Sequence, residues 1–161
     1  MTVISVDTDH EHLTVTVISE FEAPVERVWE LWTDPRKLER WWGPPSYPAT
    51  FIAHDLVPGG QVRYLMTSPD GEQHAGLWRV TAVDPPVRLQ FDDVLANADW
   101  EPIADLPVAH VRIRLIEADG VTRMVMRSRF ESRNDLERWL STRTREGQEQ
   151  AIAQMDELLH P

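Results

Sequence analysis

Leu13, Val15, Val17 and Phe21 occupy one side of a two-residue alternation, with Thr14, Thr16 and Glu20 on the other. That period predicts a half-buried strand over residues 12–21. Val25, Val28, Trp29 and Trp32 then recur at helical spacing behind Pro24, whose missing N–H costs nothing at a helix start. Pro35 disfavours helical geometry at Asp34, so this helix is expected to end near Thr33. Asp34 is placed to cap a second short helix running to Arg40, stopped by Gly43-Pro44-Pro45.

From Ala49 onward the punctuation is Pro58-Gly59-Gly60, Asp70-Gly71, Asp84-Pro85-Pro86 and Asp119-Gly120. Between these turns lie candidate strands near 49–55, 61–67, 74–83, 87–94, 108–118 and 121–130. With the first strand they make seven, and their close spacing implies antiparallel pairing. In the last pair Val111, Ile113, Leu115, Met124, Met126 and Phe130 face one way, and Arg112, Arg114, Arg123, Arg127 and Arg129 the other. The arginine stripe reads as a solvated sheet face.

The chain closes on a stretch from Asn134 to His160 without proline, expected as one long helix of about 40 Å at 1.5 Å per residue, with Asn134 as its cap and Glu137 three residues on. Leu136, Trp139, Leu140, Ala151, Met155, Leu158 and Leu159 form its apolar stripe. The stripe is interrupted: between Leu140 and Ala151 the continuing positions hold Arg143, Thr144, Gly147 and Gln148. A mid-helix glycine costs about 1 kcal/mol relative to alanine, so something other than helix stability recommends it. Space beneath the helix, or a closely packed neighbour, would each account for it.

Charge narrows the partners. Sixteen Lys and Arg against 27 Asp and Glu leave a net charge of −11 in 161 residues, a field that repels nucleic acid and anionic membranes. Cysteine is absent, which excludes disulfides, thiolate nucleophiles and Cys-based zinc sites and fits a cytoplasmic location. No run approaches a membrane span, and the acidic, His-containing residues 1–11 read as a flexible segment ahead of a single domain.

The order strand, two short helices, antiparallel strands, long C-terminal helix resembles the START-like (SRPBCC) helix-grip fold. Phe21-x-Ala23-Pro24-x-x-x-Val28-Trp29 and Thr33-Asp34-Pro35-x-x-Leu38-x-x-Trp41-Trp42-Gly43-Pro44 resemble the opening of its branch of activator of heat-shock chaperone ATPase homologues, in the single-domain bacterial form. Asp55-Leu56-x-Pro58-Gly59-Gly60, Pro69-Asp70-Gly71, Gly76, Pro85-Pro86-x-x-Leu89 and the late Gly147 follow in the same order. The resemblance implies an α+β fold in which a curved sheet of six to seven strands wraps around the C-terminal helix. It implies a cavity between the two. Gln148 stands where the branch often has tryptophan after the glycine.

On that fold Trp32, Trp41 and Trp42 lie in the closing helices, Tyr64, Met66, Trp78 and Phe91 on inward strand positions, and Met126 and Trp139 on the last strand and helix. Aromatic and methionine walls suit flat or irregular apolar ligands. Arg143, Thr144, Gly147 and Gln148 would supply room and polar groups from the helix. These thirteen positions are the candidate ligand site, for a small apolar or aromatic molecule bound by a monomer or homodimer. Catalytic signatures are missing: no Gly-x-Ser-x-Gly elbow, phosphate loop or four-ligand metal set is present, and neither cofactor nor metal is expected. Two other classes stay open, a cyclase- or dehydratase-like enzyme using Tyr64, His110 or Asp93 as acid or base, and a chaperone-accessory or other partner-binding module.

Overall fold

The computed structural model describes residues 3–141 and 144–161, with the side chains of Val3, Thr144 and Arg145 outside the description. Along the chain come β1 (Val3–Asp9), β2 (Thr14–Phe21), α1 (Val25–Thr33), α2 (Pro35–Trp41), β3 (Ala49–His54), β4 (Gln61–Thr67), β5 (Gln73–Asp84), β6 (Arg88–Ala96), β7 (Ala109–Ala118), β8 (Val121–Arg129), α3 (Arg133–Ser141) and α4 (Thr144–Leu159). All eight strands form one antiparallel sheet in the order β1-β2-β8-β7-β6-β5-β4-β3. After β2 the chain runs through α1 and α2 to the far edge at β3, then returns strand by strand until β8 pairs with β2. This is the helix-grip α+β architecture, with eight strands rather than seven.

The additional strand is the N-terminal segment expected to be flexible. Val3–Asp9 pairs along β2, matching Val6 to Val17 and Asp9 to Thr14. Its polar residues build the turn: the Asp9 carboxylate accepts the backbone N–H groups of Glu11 and His12, each at 3.0 Å, and lies 2.8 Å from His12 Nδ1. These bonds hold the Asp9 carboxyl below its usual range. Leu13, at φ 57°, completes the reversal.

Local signals account for the short helices. The Asp34 carboxylate accepts from Arg36 N–H at 2.9 Å and Pro35 opens α2, while the Asp34 N–H closes α1 on Glu30 O at 3.0 Å. At the other end of the chain, Ser132 rather than Asn134 caps α3, its Oγ accepting from Asp135 N–H at 3.0 Å. The expected single C-terminal helix is described as α3 and α4, with residues 142 and 143 outside the described set.

Alternation sends the apolar positions of the strands toward α4 and the arginines outward. Arg112 lies opposite Arg127 on the outer face, and Arg123 pairs with Glu20 at 3.0 Å. That face also carries a small second core of Leu77, Val94 and Ala96, with Trp100 and Val108 packed against it. The segment between β6 and β7 is thus folded onto the sheet. Asn97 Oδ1 holds its turn by accepting from Asp99 N–H and Glu101 N–H at 2.9 and 3.0 Å.

Candidate functional site: a cavity under the start of the last helix

Followed along the inner face, the strands change character. Leu89 and Phe91 of β6 give way to Asp93 and Leu95, Trp78 of β5 to Gly76, Val62 of β4 to Tyr64 and Met66, and Met124 of β8 to Met126 and Ser128. The first half of each run belongs to the filled core, with α1 packed on β7 and β8 and with Met155 and Leu159 near the end of α4 buried. The second half lies under the beginning of α4, where Gly147 and Gln148 replace bulky groups. Between them is a cavity of about 750 Å³. Its volume is typical of small-molecule sites.

The thirteen expected positions divide accordingly. Trp41, Trp42, Tyr64, Met66, Met126, Trp139, Gly147 and Gln148 line the cavity. Trp32, Trp78 and Phe91 do not: all three are essentially fully buried behind the wall. Trp78 stacks on Phe91 with ring centroids 4.0 Å apart and planes at 15°, and Trp32 packs edge-on against Trp41 at 4.7 Å. Sequence parity placed these rings on the inner face correctly. It carried no information on depth. Arg143 lies outside the described residues, as does the side chain of Thr144.

Helix α4 is fixed over the cavity by polar contacts at its sides. Gln154 Nε2 donates to Gly43 O at 2.7 Å and to Trp41 O at 3.3 Å, and Trp41 Nε1 donates to Leu31 O at 2.8 Å. A Cβ added to Gly147 would lie 3.7 Å from Pro44 Cγ, an ordinary contact. The glycine therefore borders open space and is not wedged against a tryptophan. At the mouth, Leu106 and Pro107 of the β6–β7 segment line the wall, and Arg138 Nη1 of α3 donates to the Asp105 carbonyl at 2.5 Å.

Within this mostly apolar surface sits a polar pair. Tyr64 Oη donates to Asp93 Oδ1 at 2.8 Å, reaching from β4 across β5 to β6. Gly76 on β5 makes this possible. It pairs directly with Tyr64, and a Cβ there would overlap the phenol ring. Burial raises the Asp93 carboxyl to about 7 because the anion loses its hydration, and the Tyr64 hydrogen bond offsets only part of that. Tyr64 is pushed well above the usual phenol range, first by burial and then by the adjacent carboxyl. Trp42 and Trp78 oppose this weakly, since their indole N–H groups lie toward the phenol oxygen; Trp78 Nε1 does not reach hydrogen-bond geometry.

The other histidines play local parts. His110 stands on the opposite face, 2.7 Å from Asp92 and 2.9 Å from Glu131, which removes it from the cavity and from a role as its acid or base. His54 Nε2 lies 3.1 Å from Trp32 O. Among the described residues no group of three or more His, Asp or Glu side chains is arranged to hold a metal ion, and no helix is long and apolar enough to cross a membrane. The cavity residues that the sequence pattern did not single out include Leu95, Leu106, Phe130 and Arg138. Asp93, a candidate acid or base from the sequence, does line the cavity, at an inward strand position two residues beyond Phe91.

Residues 22–160 match the family model described as Activator of Hsp90 ATPase homolog 1-like protein. Among solved structures, the chain is 46% identical to protein Ms6760 from Mycobacterium smegmatis, covering 98% of this chain and 96% of that one with a TM-score of 0.90. It is 43% identical to a protein from Arthrobacter aurescens, covering 98% and 92% with a TM-score of 0.94. DynU16, a protein of the dynemicin biosynthetic locus, shares the fold at 21% identity and a TM-score of 0.67, over 91% of this chain and 47% of that one. No curated protein sequence matches the chain.

Proposed function

Since the chain belongs to the Activator of Hsp90 ATPase homolog 1-like family, built on a fold suited to holding ligands between sheet and helix, we propose that it binds a small, largely apolar or aromatic molecule under the start of α4. The observation that carries this is the cavity of about 750 Å³, walled by Trp41, Trp42, Met66, Met126, Phe130 and Trp139. The space is open on one side, and its size and mostly apolar lining are those of sites that take small molecules. Flat aromatic walls and two methionines fit a planar or irregular guest. Arg143 and Thr144 remain proposed contributors from the sequence stripe, and a cytoplasmic setting is favoured by the absence of cysteine.

The test is a thermal-shift screen of aromatic and alkyl compounds, joined to mass spectrometry of small molecules released from protein purified from its own host. A ligand present at about one hundred times its Kd should add about 2.7 kcal/mol to stability. If no member of a broad apolar set moves the transition and nothing is released, the reading fails.

A second reading, acid–base catalysis in the same cavity, is favoured by one observation: Asp93 lines the space with Tyr64 at 2.8 Å and titrates near neutrality, where a general acid or base is most effective. It predicts turnover of a bound carbonyl or hydroxyl compound that is lost in Asp93→Asn. Release of unaltered ligand after prolonged incubation would argue for binding alone.

A further inference from the structure

We propose that the ligand's head group is a protonated amine, seated on the free oxygen of Asp93 with its aromatic or alkyl body against the tryptophan wall. This rests on the cavity reading above and adds the chemistry of the guest. Three observations converge on it. Tyr64 spends its single O–H on Asp93 Oδ1, and Asp93 Oδ2 has no partner among the described residues. The unfilled valence on the wall is therefore a carboxylate oxygen, which a cation satisfies more fully than a neutral donor.

Electron-rich rings line the same cavity, and such rings attract a cation to their faces. Tyr64 and Trp42 have ring centroids 5.9 Å apart, and Trp41 and Trp42 5.7 Å apart. The chain as a whole carries −11, a field that draws cations toward its surface and repels the carboxylates that would otherwise compete. Burial that disfavours the bare Asp93 anion is also what makes the pair specific. An ammonium group arriving there restores the solvation that the protein removed, whereas an acid ligand would bury a second negative charge beside it.

Among the described residues, which leave out the side chains of Arg143 and Arg145, charge near Asp93 comes from few places. Tyr64 faces it from β4, Arg138 stands at the mouth on α3 and is engaged with the Asp105 carbonyl, and Glu146 lies on the cavity edge at the start of α4. On β5, β7 and β8 the inward positions near it are Gly76, Val111 and Ser128, none of which titrates.

The experiment uses three probes of matched shape, 2-(2-naphthyl)ethylamine, 2-(2-naphthyl)ethanol and 2-naphthylacetate, with affinities read from quenching of the tryptophan fluorescence. Near pH 8 the amine should bind about tenfold tighter than the alcohol, and the acid weakest. The amine stays protonated throughout while Asp93 gains its proton as pH falls through about 7, so this preference should shrink toward pH 5.5. In Asp93→Asn the amine and alcohol should bind within about threefold of each other at both pH values, while Tyr64→Phe should keep the amine preference. The unsubstituted protein tests the idea even if a variant fails to fold, because the pH dependence of the amine-to-alcohol ratio needs no substitution. An alcohol or acid that binds as tightly as the amine overturns the proposal and leaves the cavity reading standing. An amine preference that survives in Asp93→Asn overturns it too, moving the cation site to Glu146. Absence of binding by all three probes overturns this proposal, while the cavity reading stands or falls by the broad screen above.

Discussion

The two ends of the inner sheet face are built from the same strands and covered by the same helix, yet one is solid and the other hollow. At the solid end Trp78 and Phe91 stack, Trp32 of α1 packs against both, and Met155 and Leu159 of α4 are buried in the same core. At the hollow end a short step along each strand brings Gly76, Asp93 and Ser128, and α4 answers with Gly147 and Gln148. Stability is thus concentrated in one half of the molecule, and the other half can hold a polar pair in an apolar space. A solid end anchors α4 well enough that its beginning need not touch the sheet.

The sharpest way to break this comparison is Trp78→Ala, which empties the centre of the solid end and should cost about 3–5 kcal/mol in urea unfolding. A loss below about 1 kcal/mol would mean that the packing there is not what holds the fold. A smaller effect of opposite sign is expected from Asp93→Asn at the hollow end. Asp93 titrates near 7 in the folded protein against about 3.8 ordinarily, so the fold disfavours the anion. The unsubstituted protein is therefore relatively most stable below about pH 4 and loses stability as pH rises toward 7. Asparagine keeps an acceptor for Tyr64 and escapes the loss, so the variant should be more stable by on the order of 2 kcal/mol near pH 8 and about equal near pH 4. Equal stability of the two proteins at both pH values would contradict the burial of that carboxyl.

The smallest effect belongs to Gly147→Ala. Its Cβ would meet only Pro44 Cγ at 3.7 Å, so helix propensity should prevail and stabilise the protein by up to about 1 kcal/mol in thermal unfolding. A destabilisation would show that the residue is packed rather than facing space.

Much of this was readable from the chain. Turn residues placed six of the strands within a residue or two of where they lie, Asp34-Pro35 marked the joint between α1 and α2, and parity put Tyr64, Met66, Trp78 and Phe91 on the inner face. The interrupted stripe on the last helix pointed to the region of α4 that covers the cavity. Other features were not readable. Residues 1–11 read as a flexible segment because of their acids and His10, yet Val3–Asp9 pairs with the adjacent β2 through a turn in which the Asp9 carboxylate accepts from Glu11 and His12 N–H. Ser132 caps α3 in place of Asn134, a choice between two competent residues that local spacing did not separate.

Spacing and side-chain type by themselves determined which residues face inward, because a strand's period of two and a helix's period of 3.6 are properties of the backbone. They could not determine which inward residues are sealed and which border empty space. That depended on where α4 lies relative to each point of the sheet, a distance set by the packing of Ile152, Met155 and Leu159 and by the hold of Gln154 on Trp41 and Gly43. Only in three dimensions does Gly76 let Tyr64 lie across a strand to reach Asp93, turning a tyrosine and an aspartate 29 positions apart into one site.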